Sequence, residues 1–252
     1  MARRGSELPS PSLQGKKLWL SGGFLLMGLL FPVIFRCFAP NAGESGDGRK
    51  TENYTPWQLV EDRGGFRTFT ARVPGSGSLS LRGETVADEH IGRLYTAFLN
   101  TSSTLDWVRF LSEVEELPPI GGGKARGLDG GILFQKYDMP WPVKDREVVL
   151  RRTVRLDKRA RKMIATYQSV EHPARPITNA AVRAVVHRTS WILTSVGGGS
   201  RTAIDFETST DPKGALPSAV VAFMQMKFPR ETVRGFVESA RGVEVHPVMA
   251  KW

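Results

Sequence analysis

The chain has 252 residues, 40% hydrophobic and 24% charged, proportions that exclude a wholly disordered polypeptide. Its single cysteine, Cys37, excludes an intrachain disulfide framework. Lys and Arg outnumber Asp and Glu by 35 to 25, a formal net charge of +10 that favours acidic partners. No helix-turn-helix, zinc-finger or RNP-like pattern accompanies this charge, so nucleic acid is not expected as a partner. The four histidines, His90, His172, His187 and His246, have no second His or Cys at ligand spacing, and no metal or cofactor is expected.

Residues 1–17 are polar and small and read as disordered. Residues 18–36 contain an uncharged run, Leu18 to Phe35, with Trp19 at one edge. As a helix these eighteen residues span about 27 Å, close to a bilayer core, and the expectation is one amino-terminal transmembrane helix. A cleaved signal peptide and a buried core helix are the alternatives; the length of the run and the position of Pro40 favour the anchor. Basic residues before and after the run place the amino terminus weakly in the cytosol of a single-pass membrane protein. Residues 37–53 are Gly-rich and polar and read as a linker.

The folded part is expected over residues 54–241, with 242–252 as a tail. Gly65 to Val73 alternates in character, Pro74 to Gly77 has turn chemistry, and Ser78 to Val86 resumes an extended pattern, which together predict a hairpin. Asp88 is the predicted cap of a helix running to Phe98, with Ile91, Leu94, Tyr95 and Phe98 on one face. Leu105 to Leu111 is amphipathic, and Val114 to Leu117 reads as a strand. Gly121 to Gly123 and Gly197 to Gly199 lack the Lys-Ser/Thr ending of a phosphate loop and read as turns. Successive strands follow over 132–137, 147–156, 163–169, 182–193 and 201–210, mostly joined by short connections, as in an antiparallel meander. The long Val170 to Ala181 connection is the exception and a candidate lid. Pro217 to Arg241 reads as a long helix that Pro229 kinks or re-initiates, with Lys227, Arg230 and Arg234 on one face, where they could meet anionic headgroups or plain solvent. The fold class is α+β, a curved antiparallel sheet around a long carboxy-terminal helix.

Three segments resemble the START (steroidogenic acute regulatory protein-related lipid-transfer) domain family. Pro140 to Arg151, PWPVKDREVVLR, is similar to PWPV-x-x-RDFV-x-x-R. Ser169 to Pro173, SVEHP, is similar to S-V-x-H-P, and Asp211 to Pro217, DPKGALP, to D-x-K-G-x-[IL]-P. The resemblance implies a helix-grip fold enclosing a tunnel for one lipid, a sterol or a phospholipid, and a membrane surface as the place of exchange. It implies that the Val170 to Ala181 loop and the last helix form the lid. It also implies a buried acid and arginine at the tunnel's polar end, matched by position to Glu113 and Arg151.

The expected lipid-binding residues are therefore Glu113, Arg151, Ile177 from the loop, and Val220, Phe223 and Met224 from the start of the last helix. The rival function is a small-molecule enzyme of the polyketide cyclase-like superfamily of similar fold. Glu113, Tyr137, His187 and Asp205 are then the candidate acid/base groups, but no nucleophile motif or recognisable constellation supports it, and no enzyme is expected. A lipid-gated sensor is a further alternative. Nothing in the sequence indicates an oligomer.

Overall fold

A computed structural model describes residues 55–73, 78–121 and 130–252. The expected disordered segment, transmembrane helix and linker lie outside these residues. Among the described residues no helix is long and apolar enough to cross a membrane.

Ten strands form one sheet: β1 (Gln58–Arg63), β2 (Phe66–Arg72), β3 (Leu79–Ala87), β4 (Leu111–Leu117), β5 (Ile132–Tyr137), β6 (Arg146–Asp157), β7 (Lys162–Ser169), β8 (Val182–Arg183), β9 (Val185–Val196) and β10 (Arg201–Asp211). Their order is β1-β2-β3-β10-β9-β7-β6-β5-β4, every neighbour antiparallel. The short β8 pairs parallel with the start of β6. Helices α1 (Ile91–Leu99) and α2 (Thr104–Trp107) stand between β3 and β4, and α3 (Ser218–Met226) and α4 (Phe228–Ser239) follow β10. This is the helix-grip arrangement, a curved antiparallel sheet holding carboxy-terminal helices.

Strand alternation decides what the sheet buries. In β10 the even positions Thr202, Ile204, Phe206 and Thr208 are buried, while Arg201 is exposed and Asp205 and Glu207 are half-buried. Trp191 and Leu193 of β9 sit opposite Phe206 and Ile204, and the Trp191 and Phe206 rings lie 4.6 Å apart. Cross-strand aromatic pairs of this kind are the units that stabilise a sheet. Ile91, Leu94 and Phe98 of α1 and Val233 and Phe236 of α4 close the same core. Each such side chain fully removed from water contributes roughly 1.5–3 kcal/mol.

Several boundaries differ from the sequence reading. α1 is capped by His90 rather than Asp88: its Nδ1 accepts from the Gly92 amide at 3.0 Å, satisfying one orphan donor of the first turn. Of the two outcomes expected at Pro229, a kink or a re-initiated helix, the second holds, and the carboxy-terminal segment forms two helices. Pro229 has no N–H to donate and its ring would collide with a carbonyl one turn back, so the chain breaks between Met226 and Phe228. Arg230 does not share a free face with Lys227 and Arg234; it pairs with Glu61 at 3.1 Å and donates to the Arg63 carbonyl at 2.8 Å. Residues 242–252 are no loose tail either, because Met249 and Trp252, one helical turn apart, are 0% and 7% exposed within the main core.

Candidate ligand cavity

A cavity of about 210 Å³ lies between the inner face of the sheet and the helices. Its sheet wall follows from strand parity. In β6, Val148 and Leu150 face inward between Arg146 and Arg152, and Leu133, Gln135 and Tyr137 of β5 lie beside them. In β9 the extra residue His187, opposite the Ser209–Thr210 step of β10, forms a bulge. A bulge shifts side-chain parity by one. Val186 before it and Thr189 and Trp191 after it therefore all line the cavity.

The helical wall comes from Trp107 of α2, Val221 and Met224 of α3, and Phe228 and Thr232 of α4. α3 is apolar apart from Ser218 and Gln225, SAVVAFMQM, yet none of its residues is fully buried. Its Val221 and Met224 face the cavity, its Phe223 packs on Phe110 at 5.6 Å, and its Met226 is 53% exposed. The loop leading into α3 is held by Arg146, whose guanidinium donates to the carbonyls of Pro212 at 3.3 Å and Lys213 at 3.1 Å, and also to that of Lys144.

The polar ends of the cavity belong to two arginines on one strand. Arg146 and Arg152 are six residues apart on the same face of β6, roughly 20 Å along an extended strand. Arg152 is 3% exposed; its Nη1 donates to Thr101 Oγ1 at 3.1 Å and its Nη2 lies 3.4 Å from Glu116 Oε1. Burial raises the phenol pKa of Tyr137 and Tyr167 well above the usual value, so both hydroxyls stay protonated in the cavity wall. Tyr137 donates to Gln135 Oε1 at 2.9 Å.

The sequence-expected site residues are placed as follows. Met224 lines the cavity, while Val220 and Phe223 sit half-buried on α3 beside the lining positions Val221 and Met224. Arg151 is exposed on the outer face, opposite Ile132, because it has the opposite parity to Arg152. A one-residue slip moves a side chain to the other face of a sheet. The signal was present in the sequence: counted from Pro140, the final arginine of the thirteen-residue pattern falls at Arg152. Glu113 is on the outer face as well, where it and Glu115 pair with Arg175. An acid–arginine pair does border the cavity, but Glu116 and Arg152 make it.

Ile177 is 69% exposed and lines no cavity. Its loop lies against the outer face of the sheet instead. The Arg175 guanidinium stacks 3.9 Å from the Phe134 ring centroid, Val170 packs on Leu117, Ile132, Phe134 and Val149, and Arg183 pairs with Glu147 at 2.8 Å. His172 accepts from the Ala174 amide through Nδ1, so its Nε2–H donates to the Pro118 carbonyl at 2.9 Å. Salt bridges and an apolar patch thus spend this segment on the sheet's back, and the covering of the cavity falls to α3. Of the four acid/base candidates, only Tyr137 lines the cavity. Asp205 pairs with Arg82 at 2.7 Å, and His187 bonds Ser78 Oγ at 2.8 Å from its exposed bulge.

Comparison with known proteins agrees with this geometry. The START domain family model matches residues 70–233. A protein of Pseudomonas aeruginosa described only as uncharacterized is 24% identical over 218 residues, covering 86% of this chain and 98% of its own length. The mouse mitochondrial StAR-related lipid transfer protein 7 is 20% identical over 190 residues, 73% of this chain, and that match spans 49% of the mouse protein. Among solved structures, human STARD10 superposes with a TM-score of 0.62 at 20% identity, covering 73% of this chain and 72% of the other. A StAR-related lipid transfer protein fragment from Xanthomonas axonopodis gives 0.59 at 20% identity, covering 73% and 98%. With the family model spanning most of the folded region and the sheet, helices and cavity arranged as described, the chain belongs to the START domain family.

Proposed function

We propose that this chain carries one lipid, a sterol or phospholipid by family resemblance, inside the cavity and exchanges it at a membrane to which Leu18 to Phe35 anchors it. The observation that supports this reading is a mostly apolar cavity closed by an apolar helix that the fold does not bury. A ligand site needs apolar walls with a few polar groups to orient the ligand, and the walls between Arg146 and Arg152 have that composition. α3 is the movable element, since displacing it exposes few side chains that the core depends on. The carrier works by binding and release, without covalent chemistry. A methylene moved from water into an apolar site gains about 0.8 kcal/mol, but a lipid taken from a bilayer was already out of water, so its tails gain little of this on entering the cavity. The protein lowers the barrier to extraction more than it adds affinity.

The test is native mass spectrometry of the full-length chain with extraction and identification of co-purifying small molecules. One lipid per chain is expected. Met224→Trp, which fills the cavity from α3, should release it while the circular dichroism spectrum stays folded. A wild-type chain that remains empty after exposure to a membrane-lipid extract overturns the carrier reading. Anchoring is tested separately: the full-length chain should stay in the membrane pellet after carbonate extraction, and release into the supernatant would refute it.

A further inference from the structure

The charged and hydrogen-bonding groups of the cavity wall are one-sided. Among the described residues that line it, Arg109, Arg146 and Arg152 are charged, and none is Asp, Glu, Lys or His. The two buried arginines keep their positive charge inside the wall. The Arg146 guanidinium donates to neutral carbonyls, those of Lys144, Pro212, Lys213 and Ala215. Arg152 meets Glu116, but at 3.4 Å, and that carboxylate is 60% exposed on an edge strand, where water screens it. Arg109 is exposed at the rim, over the rings of Phe110 and Phe223.

Two polar atoms of the helical wall have no partner. Among the described residues, Trp107 Nε1 and Thr232 Oγ1 are buried and make no hydrogen bond, and both residues line the cavity. An indole N–H can only donate, and a threonine hydroxyl can donate or accept. A buried donor left unmade costs about 1–3 kcal/mol, so the site gains most from a ligand that brings acceptors. The protonated phenols of Tyr137 and Tyr167 add no negative charge. The same α2 region supplies Trp107 and, just before it, Thr101, the hydroxyl that holds Arg152.

We propose that the lipid carried in this cavity bears a net negative, acceptor-rich headgroup, a carboxylate or a phosphate monoester, and that the cavity discriminates against neutral and zwitterionic lipids with the same tail. This rests on the carrier reading above and narrows it, setting sterols aside. An anionic headgroup offers charge-assisted bonds to guanidinium, roughly twice as strong as neutral ones, and an acceptor to the indole. An alcohol offers the acceptor without the charge, and a choline headgroup brings a cation toward three arginines.

The experiment measures affinities of the full-length chain at pH 8 for four probes sharing one oleoyl or oleyl tail: oleate, 1-oleoyl-lysophosphatidate, 1-oleoyl-lysophosphatidylcholine and oleyl alcohol. The expected result is at least tenfold tighter binding of one or both anionic probes than of the other two. Trp107→Phe, which keeps the aromatic ring in the core and removes the N–H, should cut that preference at least threefold, and so should Arg152→Gln. Oleyl alcohol or the lysophosphatidylcholine binding as tightly as both anions overturns the headgroup assignment and leaves the carrier reading standing. A preference untouched by both substitutions also overturns it, since the selectivity would then lie elsewhere. Failure of all four probes to bind also overturns the headgroup assignment, and the carrier reading is then decided by the membrane-lipid extract.

Discussion

α3 and α4 are neighbours in the chain, nine and twelve residues long, yet they relate to the sheet in opposite ways. α4 buries Pro229, Thr232, Val233 and Phe236 and presents Glu231, Arg234 and Glu238 to solvent. α3 is the more apolar of the two in composition and buries nothing. Apolarity therefore does not decide which helix the fold depends on; amphipathic fit to the sheet does. On the proposed carrier reading α3, mostly apolar yet only half-buried, is the element that would trade its contacts with the cavity for contacts with a lipid surface. The separation at Pro229 lets one part move while the other stays.

The largest effect should come from breaking α4. Phe236 is 0% exposed and its ring meets those of Phe98 at 6.2 Å, Trp107 at 5.4 Å and Trp191 at 5.0 Å. Phe236→Ala should cost about 3–5 kcal/mol, read as a lower urea midpoint, because the cavity left is walled by large rings that cannot collapse into it. Next in size is Gly235→Ala. A Cβ there would stand 2.7 Å from Trp107 Cβ and 3.2 Å from the Trp107 carbonyl, so α2 must retreat from α4. Overpacking of this kind costs about 1–3 kcal/mol in the same unfolding experiment.

The contrast sharpens on α3. Val221 is half-buried and faces the cavity from a helix that has no fully buried residue. Val221→Ser should change stability by less than about 1 kcal/mol, near the range of ordinary surface substitutions. It should nevertheless speed lipid transfer between vesicles or lipid loss several-fold, measured with a fluorescent lipid. A Val221→Ser chain as destabilised as Phe236→Ala would mean that α3 is part of the core after all.

The division between the two helices also shows how far sequence could reach. Alternation located β2, β3, β5, β6, β7 and β10 within a residue or two, because each presents one face to the core and one to water, while β4 begins three residues before its predicted run and β8 and β9 were read as one strand. β1 escaped: Gln58 to Arg63 is an edge strand exposed along nearly its whole length, so no burial stamps a period on it. The break before α4 was legible in Pro229, since a missing donor is a local fact. Which arginine enters the cavity was harder, because Arg151 and Arg152 are adjacent and identical in type, and only counting register from Pro140 separates them. The placement of the Val170 to Ala181 loop was not legible at all. It depends on Arg175 finding Glu113, Glu115 and Phe134 across the sheet's back, contacts between residues about forty to sixty positions apart in the chain. The unpartnered Trp107 N–H is likewise a property of packing and leaves no mark in the sequence.

The smallest expected effect lies in the hinge before α3. Asp211 ends β10; its Oδ1 accepts from the Lys213 amide at 2.9 Å and its Oδ2 pairs with Lys213 Nζ at 2.8 Å. Lys213 has φ of 50°, a left-handed conformation that this local turn holds in place. Desolvation pulls the Asp211 pKa up, but the side-chain and backbone bonds from Lys213 outweigh it and leave the carboxyl below its ordinary value. The folded state therefore favours the ionised form. Its contribution is fully present above about pH 4, the ordinary aspartate value, and fades as pH falls through the lower folded value. Asp211→Asn keeps an oxygen for the Lys213 amide and removes only the charge. The melting temperature of the variant should lie slightly below wild type from pH 5 to 7, by less than about 1 kcal/mol in stability for a solvent-bordering pair, and the gap should close below about pH 4. A gap that stays constant down to pH 3 would show that the ion pair is not what holds the turn. The hinge of α3 would then rest on Arg146 and its grip on the carbonyls of Pro212, Lys213 and Ala215 alone.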